Sequence, residues 1–178
     1  MKGITQVYTG NGKGKTTASL GLALRAIGHG LKVCVIQFLK RNSKCGEHLF
    51  AENTKIFEIH QFGTPPIPEG KIYVPVKRKS EESKEAVHRA LYFAKDVIEK
   101  GDFDLLILDE INLALDYGFI GIEEVIDLIK SKPENLELIL TGRRAPKEII
   151  DIADLVTEMV EIKHPYKDGL EARRGIEY

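Results

Sequence analysis

The stretch from Thr9 to Thr17, reading TGNGKGKTT, constrains this chain more than any other. It follows a short run with β character, Ile4 to Tyr8, and opens a helix-forming run, Ala18 to Ile27. Gly10, Gly12 and Gly14 let the backbone fold back so that successive N–H groups point into one concavity. Lys15 sets a mobile positive charge beside that nest, Thr16 offers a hydroxyl where a Mg²⁺ ligand is wanted, and the helix N-terminus adds positive potential. Strand, glycine loop and helix in this order predict a polyphosphate site built from Gly10, Asn11, Gly12, Lys13, Gly14, Lys15, Thr16 and Thr17. The plain alternative is a glycine turn with a surface lysine. One departure stands out: the consensus G-x-x-x-x-G-K-[ST] places its first glycine where this chain has Thr9. That departure points to phosphates held differently from those of an ordinary ATPase.

The 178 residues are read as one domain, 1–178, long enough to bury about 70% of the unfolded surface. With 26 basic and 27 acidic side chains the net charge is −1, so no global field attracts nucleic acid or an anionic membrane. Anion binding must then be local. No apolar run reaches membrane-spanning length, the first residues (MKGITQVY) do not have the form of a signal peptide, and two cysteines make no disulfide framework. The expectation is a cytoplasmic protein.

Along the chain, a helix is predicted from Lys15 to Ile27 with Leu20, Ala23, Leu24 and Ile27 as its core stripe. Lys32 to Leu39 reads as a buried parallel strand, a short helix is expected to end near Asn53, and Ile56 to Gln61 reads as a third strand. Phe62 to Lys79, with four prolines, is an irregular excursion of unusual length. Ser80 suits an N-cap ahead of a helix whose apolar positions run from Ala86 to Ile98 and which ends at Gly101. Phe103 to Leu108 is the clearest buried strand. A helix around Gly121 to Lys130, a strand from Leu136 to Leu140, a short helix with Pro146 at its first position, and an edge strand from Leu155 to Ile162 follow. Strands alternating with helices predict an α/β fold, three layers deep, with a mainly parallel sheet flanked by helices, as in phosphate-loop NTPases.

Asp109–Glu110 follows the clearest strand, so its carboxylates fall at the C-terminal sheet edge, where open α/β sheets bind ligands. With Thr16 and phosphate oxygens, a carboxylate there completes a Mg²⁺ shell; the spacing leaves open which of the two is the direct ligand. Arg143 and Arg144 reach the same edge, and a guanidinium fork suits phosphate or carboxylate, though arginines are also common in exposed loops. Cys45 and His48 have a metal-like spacing but no second pair to complete a zinc site. Cys34 reads as a small hydrophobe in its strand, His29 as part of a helix-end turn and His88 as helix surface. No Ser–His–Asp arrangement emerges, which would trouble a hydrolase but not a transferase whose nucleophile arrives with its substrate.

Several segments together resemble the phosphate-loop type of ATP:corrinoid (cob(I)alamin) adenosyltransferase. They are TGNGKGKTTASLGLALRAIGHG, VIQFLK followed by Gly46–Glu47, LLILDEINLALDYG, TGRRAP and KHPYKDGLEARRGIEY, spread over essentially the whole chain. The resemblance implies transfer of the 5′-deoxyadenosyl group of ATP to the Co(I) centre of a reduced corrinoid, with release of triphosphate and with a nucleotide lying reversed in its loop. It implies ATP as co-substrate and Mg²⁺ bound by Thr16 and Glu110, with Asp109 the other candidate. Lys15 and Thr16 would act on the triphosphate, and Arg143 would touch phosphate. It further implies an electron donor such as a flavodoxin or flavin reductase, and a homodimer. Similar proteins displace the lower cobalt ligand with a Phe and a Trp in a G-F-T-W type segment. This chain has no Trp, so Phe62 is the expected wedge, with Tyr73 second and His60 the less attractive cobalt ligand. Two rivals remain at this point: a phosphate-loop nucleoside kinase or ATPase, and a nucleotide sensor without turnover.

Overall fold

The computed structural model describes residues 2–40, 45–64 and 80–177. Strands and helices alternate in the order β1 (Thr5–Thr9), α1 (Lys15–Gly28), β2 (Val33–Phe38), α2 (Gly46–Thr54), β3 (Glu58–Phe62), α3 (Glu81–Lys100), β4 (Leu105–Asp109), α4 (Ile111–Asp116), α5 (Ile122–Ser131), β5 (Glu137–Thr141), α6 (Lys147–Ile152) and β6 (Leu155–Glu158), with a final 3-10 turn at Pro165–Asp168. The six strands form one sheet in the order β3-β2-β4-β5-β1-β6. Every pairing among them is parallel, from Gln6 against Leu155 at one side to Phe38 against Phe62 at the other.

Alternation along the strands divides the core in two. Cys34, Ile36, Phe38, Leu106, Leu108, Leu138 and Leu140 face one layer with Val87, Leu91, Val125, Leu128 and Ile149 from α3, α5 and α6. Val33, Val35, Leu105, Ile107 and Ile139 face the other, against Ala23 and Ala26 of α1. Each fully buried Val, Leu or Ile contributes roughly 1.5–3 kcal/mol relative to an exposed one. This is why the strands read as continuous apolar runs rather than alternating ones. It is the three-layer α/β architecture expected from the alternating pattern.

α3 follows its sequence signals closely. The Ser80 hydroxyl accepts from the Ser83 N–H at 3.2 Å, Glu81 and Glu82 occupy the first turn, and Gly101 ends the helix in the left-handed region at φ 67°. α1 departs from expectation at one position. Its buried face is Lys15, Ser19, Ala23 and Ala26, whereas Leu24 is 65% exposed. One residue turns a helix by about 100°, so burying Ala23 against the sheet carries Leu24 outward. Pro146 caps α6 from outside, with extended ψ of 149°, instead of occupying the first helical position. The last strand stops at Glu158, because from Met159 onward the backbone turns to the glycine loop. Helix α4, directly after Asp109–Glu110, was not anticipated, although Ile111, Ala114 and Leu115 keep helical spacing and are buried.

Candidate active site

The carboxyl ends of β1, β4 and β5 bring the glycine loop, the acidic pair and TGRRAP together. Gly10 and Gly14 both take positive φ, 93° and 117°. Gly10 and Gly12 also lie against the chain after β6: a Cβ would stand 2.4 Å from the Met159 carbonyl oxygen at Gly10 and 2.7 Å at Gly12. That carbonyl accepts the Gly12 N–H at 2.7 Å, while the Met159 N–H donates to Thr9 at 2.9 Å. Thr9, where the consensus has glycine, has work of its own: its hydroxyl oxygen accepts the Ala145 N–H at 3.0 Å and ties the TGRRAP segment to the loop.

Lys15 is 6% exposed, and its Nζ donates to the carbonyls of Gly10 and Gly12 at 2.8 and 2.7 Å. Burial holds its pKa below the ordinary lysine value and Arg143 adds to this, against the opposing pull of Glu110 and Asp109. The loop thus carries a buried cation within reach of two carboxylates and one guanidinium. Asn11, Lys13 and Thr17 are exposed. Lys13 pairs with Glu177 at 3.0 Å, and Glu177 is held in turn by Arg173, so the chain's end lies beside the loop.

The opposite wall is acidic. Asp109 is 1% exposed and has all its partners. Its Oδ1 accepts the hydroxyls of Thr16 at 2.8 Å and Thr141 at 2.7 Å; its Oδ2 accepts Lys40 Nζ at 3.0 Å and Gln37 Nε2 at 3.2 Å. Burial works to raise its pKa, but Lys40 and the two threonine hydroxyls outweigh that, and the carboxyl stays below the usual range. Thr16 gives its proton to Asp109, which leaves its oxygen lone pairs for a cation.

Glu110 differs in every respect. It takes a left-handed φ of 66°, its N–H donates to Thr141 Oγ1 at 3.0 Å, and its Oε2 is buried without a partner. Burial first, then the neighbouring Asp109 charge, hold its pKa above the ordinary value. An open carboxylate oxygen on the residue after Asp109, with a threonine hydroxyl that Asp109 orients, is the kind of oxygen donor a hard cation takes. The residues therefore fit Mg²⁺, with Thr16 and Glu110 as the available oxygens. Because the Glu110 pKa is raised, the folded protein binds a proton there that the unfolded chain releases at lower pH. Stability of the nucleotide-free protein should then fall as pH rises from the ordinary glutamate value through the raised one. Glu110→Gln should remove that slope in thermal melts across pH, and an unchanged slope would move the effect to another group.

Of the two arginines, Arg143 is exposed and acts electrostatically on Lys15 and Glu110, whereas Arg144 turns to Asp116 of α4 at 2.9 Å. Phe62 ends β3, its half-buried ring 5.7 Å from that of Phe93 on α3. His60 pairs with Glu58 at 3.0 Å and lies 4.5 Å from the same Phe93 ring. Tyr73 and most of the excursion after Phe62 lie outside the described residues. His48 lies 3.7 Å from Glu52, and burial pushes the Cys34 thiol up to about 12. Sequence reasoning missed Lys40, Gln37 and Met159 and assigned Thr141 no role. Lys40 closes VIQFLK just after a predicted strand, but nothing in the sequence sets that strand beside the one leading into Asp109; the β2–β4 pairing does.

A family of ATP:corrinoid adenosyltransferases, BtuR/CobO/CobP, matches residues 1–178, the entire chain. The chain belongs to this family. Among its relatives is a corrinoid adenosyltransferase of Sinorhizobium sp., 38% identical over 178 residues, 99% of this chain and 81% of that protein. Corrinoid adenosyltransferases of Pseudomonas aeruginosa (PAO1) and Escherichia coli (K12) are each 34% identical, over 99% of this chain and 84% and 86% of theirs. In this adenosyltransferase the segments that carried the resemblance are the ones the fold gathers: the loop, VIQFLK with Lys40, Asp109–Glu110, TGRRAP and the tail holding Lys13 through Glu177. No helix among the described residues is long and apolar enough to cross a membrane.

Proposed function

We propose that this protein transfers the 5′-deoxyadenosyl group of ATP to the Co(I) centre of a reduced corrinoid and releases triphosphate. The observation that carries this reading is the pairing of a lysine-bearing glycine loop with an open Glu110 oxygen and an oriented Thr16, in a chain that matches the family throughout. Co(I) supplies the electron pair that forms the Co–C5′ bond. The C5′–O bond breaks, and its electrons leave on the triphosphate. No general base is needed, so what the protein contributes is aim and charge stabilisation.

In this reading Gly10 to Thr17 cradle the triphosphate with their N–H groups, and Lys15 and Arg143 offset the charge that develops on it. Thr16 and Glu110 would hold Mg²⁺, which supplies further charge neutralisation when bound, and Asp109 orients Thr16. An electron donor such as a flavodoxin or flavin reductase delivers Co(I), and the working form is a cytoplasmic homodimer. The decisive assay incubates protein, ATP, Mg²⁺ and chemically reduced corrinoid and separates the products. Triphosphate equimolar with alkylated corrinoid is expected. ADP would make the chain a kinase or ATPase, and tight ATP binding without any product would make it a sensor.

For the corrin's lower face we assign Phe62, at the carboxyl end of β3, as the aromatic that displaces the axial ligand. With ATP and Co(II) corrinoid bound, the wild type should show a four-coordinate EPR signal that Phe62→Ala abolishes. A five-coordinate wild-type spectrum with a nitrogen ligand would overturn this. A Phe62→Ala protein that keeps the signal but melts earlier would make the ring a core residue against Phe93.

A further inference from the structure

We propose that Lys40 is the resident counter-cation of the acidic pocket, keeping free divalent metal out until a triphosphate arrives with it. The proposal rests on the phosphate-loop reading above and assigns a role to a residue that lies outside the loop. Lys40 follows β2 and reaches across the register that sets Gln37 beside Asp109. Its Nζ lies 3.0 Å from Asp109 Oδ2 and 3.9 Å from Glu47 Oε1, with the Glu110 charge also acting on it. Two carboxylates therefore flank one ammonium, and the charge of a third acts on it from farther off. Lys15, the other nearby lysine, spends its protons on the carbonyls of Gly10 and Gly12.

The placement has a direct electrostatic consequence. A divalent ion at Thr16 and Glu110 would enter a pocket where Lys40 already neutralises Asp109, and the two cations would repel across the buried carboxylate whose opposite oxygens Thr16 and Lys40 hold. Among the described residues no three His, Cys, Asp or Glu side chains converge into a ready-made metal site. Mg²⁺ characteristically needs only one or two carboxylates once phosphate oxygens share its shell. A triphosphate in the loop adds both ligands and negative charge, and entry then becomes favourable. Glu47 completes the device: it is the second anion on Lys40 and also accepts Gln37 Nε2 at 3.2 Å, so the lysine is held at its post from both sides.

Mn²⁺ binding to the nucleotide-free protein, titrated by EPR, tests this without any corrinoid. Lys40→Met should bind Mn²⁺ at least tenfold more tightly than the wild type, since one positive charge beside a divalent site is removed. Lys40→Arg should restore wild-type weakness. Melting should show Lys40→Met less stable than wild type without metal and recovering in millimolar Mn²⁺. A folded Lys40→Met protein with unchanged Mn²⁺ affinity would overturn the proposal and leave Lys40 a packing residue. If Lys40→Met folds only with Mn²⁺ the proposal stands; if it fails to fold with or without Mn²⁺, it falls. Failure of adenosyl transfer would show in the product assay and leave these titrations unaffected.

Discussion

Lys15→Ala is expected to fold and to lose about 10²–10³-fold in turnover, the typical effect of deleting one preorganised group from the developing charge. The side chain is almost fully buried, yet among the described residues its hydrogen bonds go to the carbonyls of Gly10 and Gly12. The loop itself is held by other contacts: Gly12 on Met159, Met159 on Thr9, and Thr9 on Ala145. Losing Lys15 therefore leaves the scaffold standing. A buried lysine whose pKa is already lowered is also costly to keep charged in the empty pocket, so its removal should leave the melting temperature within a few degrees of wild type. Triphosphate release measured on protein of confirmed melting behaviour decides the matter. Near-normal turnover in folded Lys15→Ala protein would remove the loop from the chemistry.

Most of the frame was legible because burial on both sheet faces forces apolar strands, and such runs as VCVIQF and LLILD have few other uses. The caps of α3 were legible for the same reason: Ser80 and Gly101 do jobs few other residues do as well. The candidate site was legible where phosphate chemistry demands a residue type, as at Gly10, Lys15 and Thr16, which the fold brings to one sheet edge with Asp109. It was not legible where the demand is a spatial register. Lys40 heads a charged run, KRNSK, that reads as a solvated surface; only the pairing of β2 with β4 turns it onto Asp109. Met159 serves through its backbone, which leaves no mark in the sequence. Adjacent Asp109 and Glu110 are indistinguishable by spacing. What separates them is that Asp109 ends the strand inside the protein, while Glu110, in the left-handed region, leaves one oxygen open.

That separation underlies the second large effect. Asp109→Asn should cost about 3 kcal/mol of stability, the lower end for breaking a buried ion pair, because Lys40 is 27% exposed and regains some water. An asparagine fills the same space but offers one oxygen where the carboxylate offered two. If that oxygen keeps Thr16 and Thr141, its NH₂ must face the donors of Lys40 and Gln37; if flipped, it faces two hydroxyls. For a chain of this size the loss corresponds to a melting temperature lower by roughly 6–12 °C. The pH dependence should change with it. The native pKa of Asp109 lies below its unfolded value, so its contribution is complete above the ordinary aspartate value and is lost as pH falls through the native one. Asp109→Asn should therefore narrow its deficit against wild type in acid. Glu110→Gln, which removes a buried carboxylate whose Oε2 has no hydrogen-bond partner, should leave thermal stability near wild type or above it and instead shift the Mg²⁺ titration to higher concentration. If Asp109→Asn melts like wild type and shifts the Mg²⁺ titration more than Glu110→Gln does, the roles are reversed. Asp109 would then be the metal's own ligand and Glu110 its support.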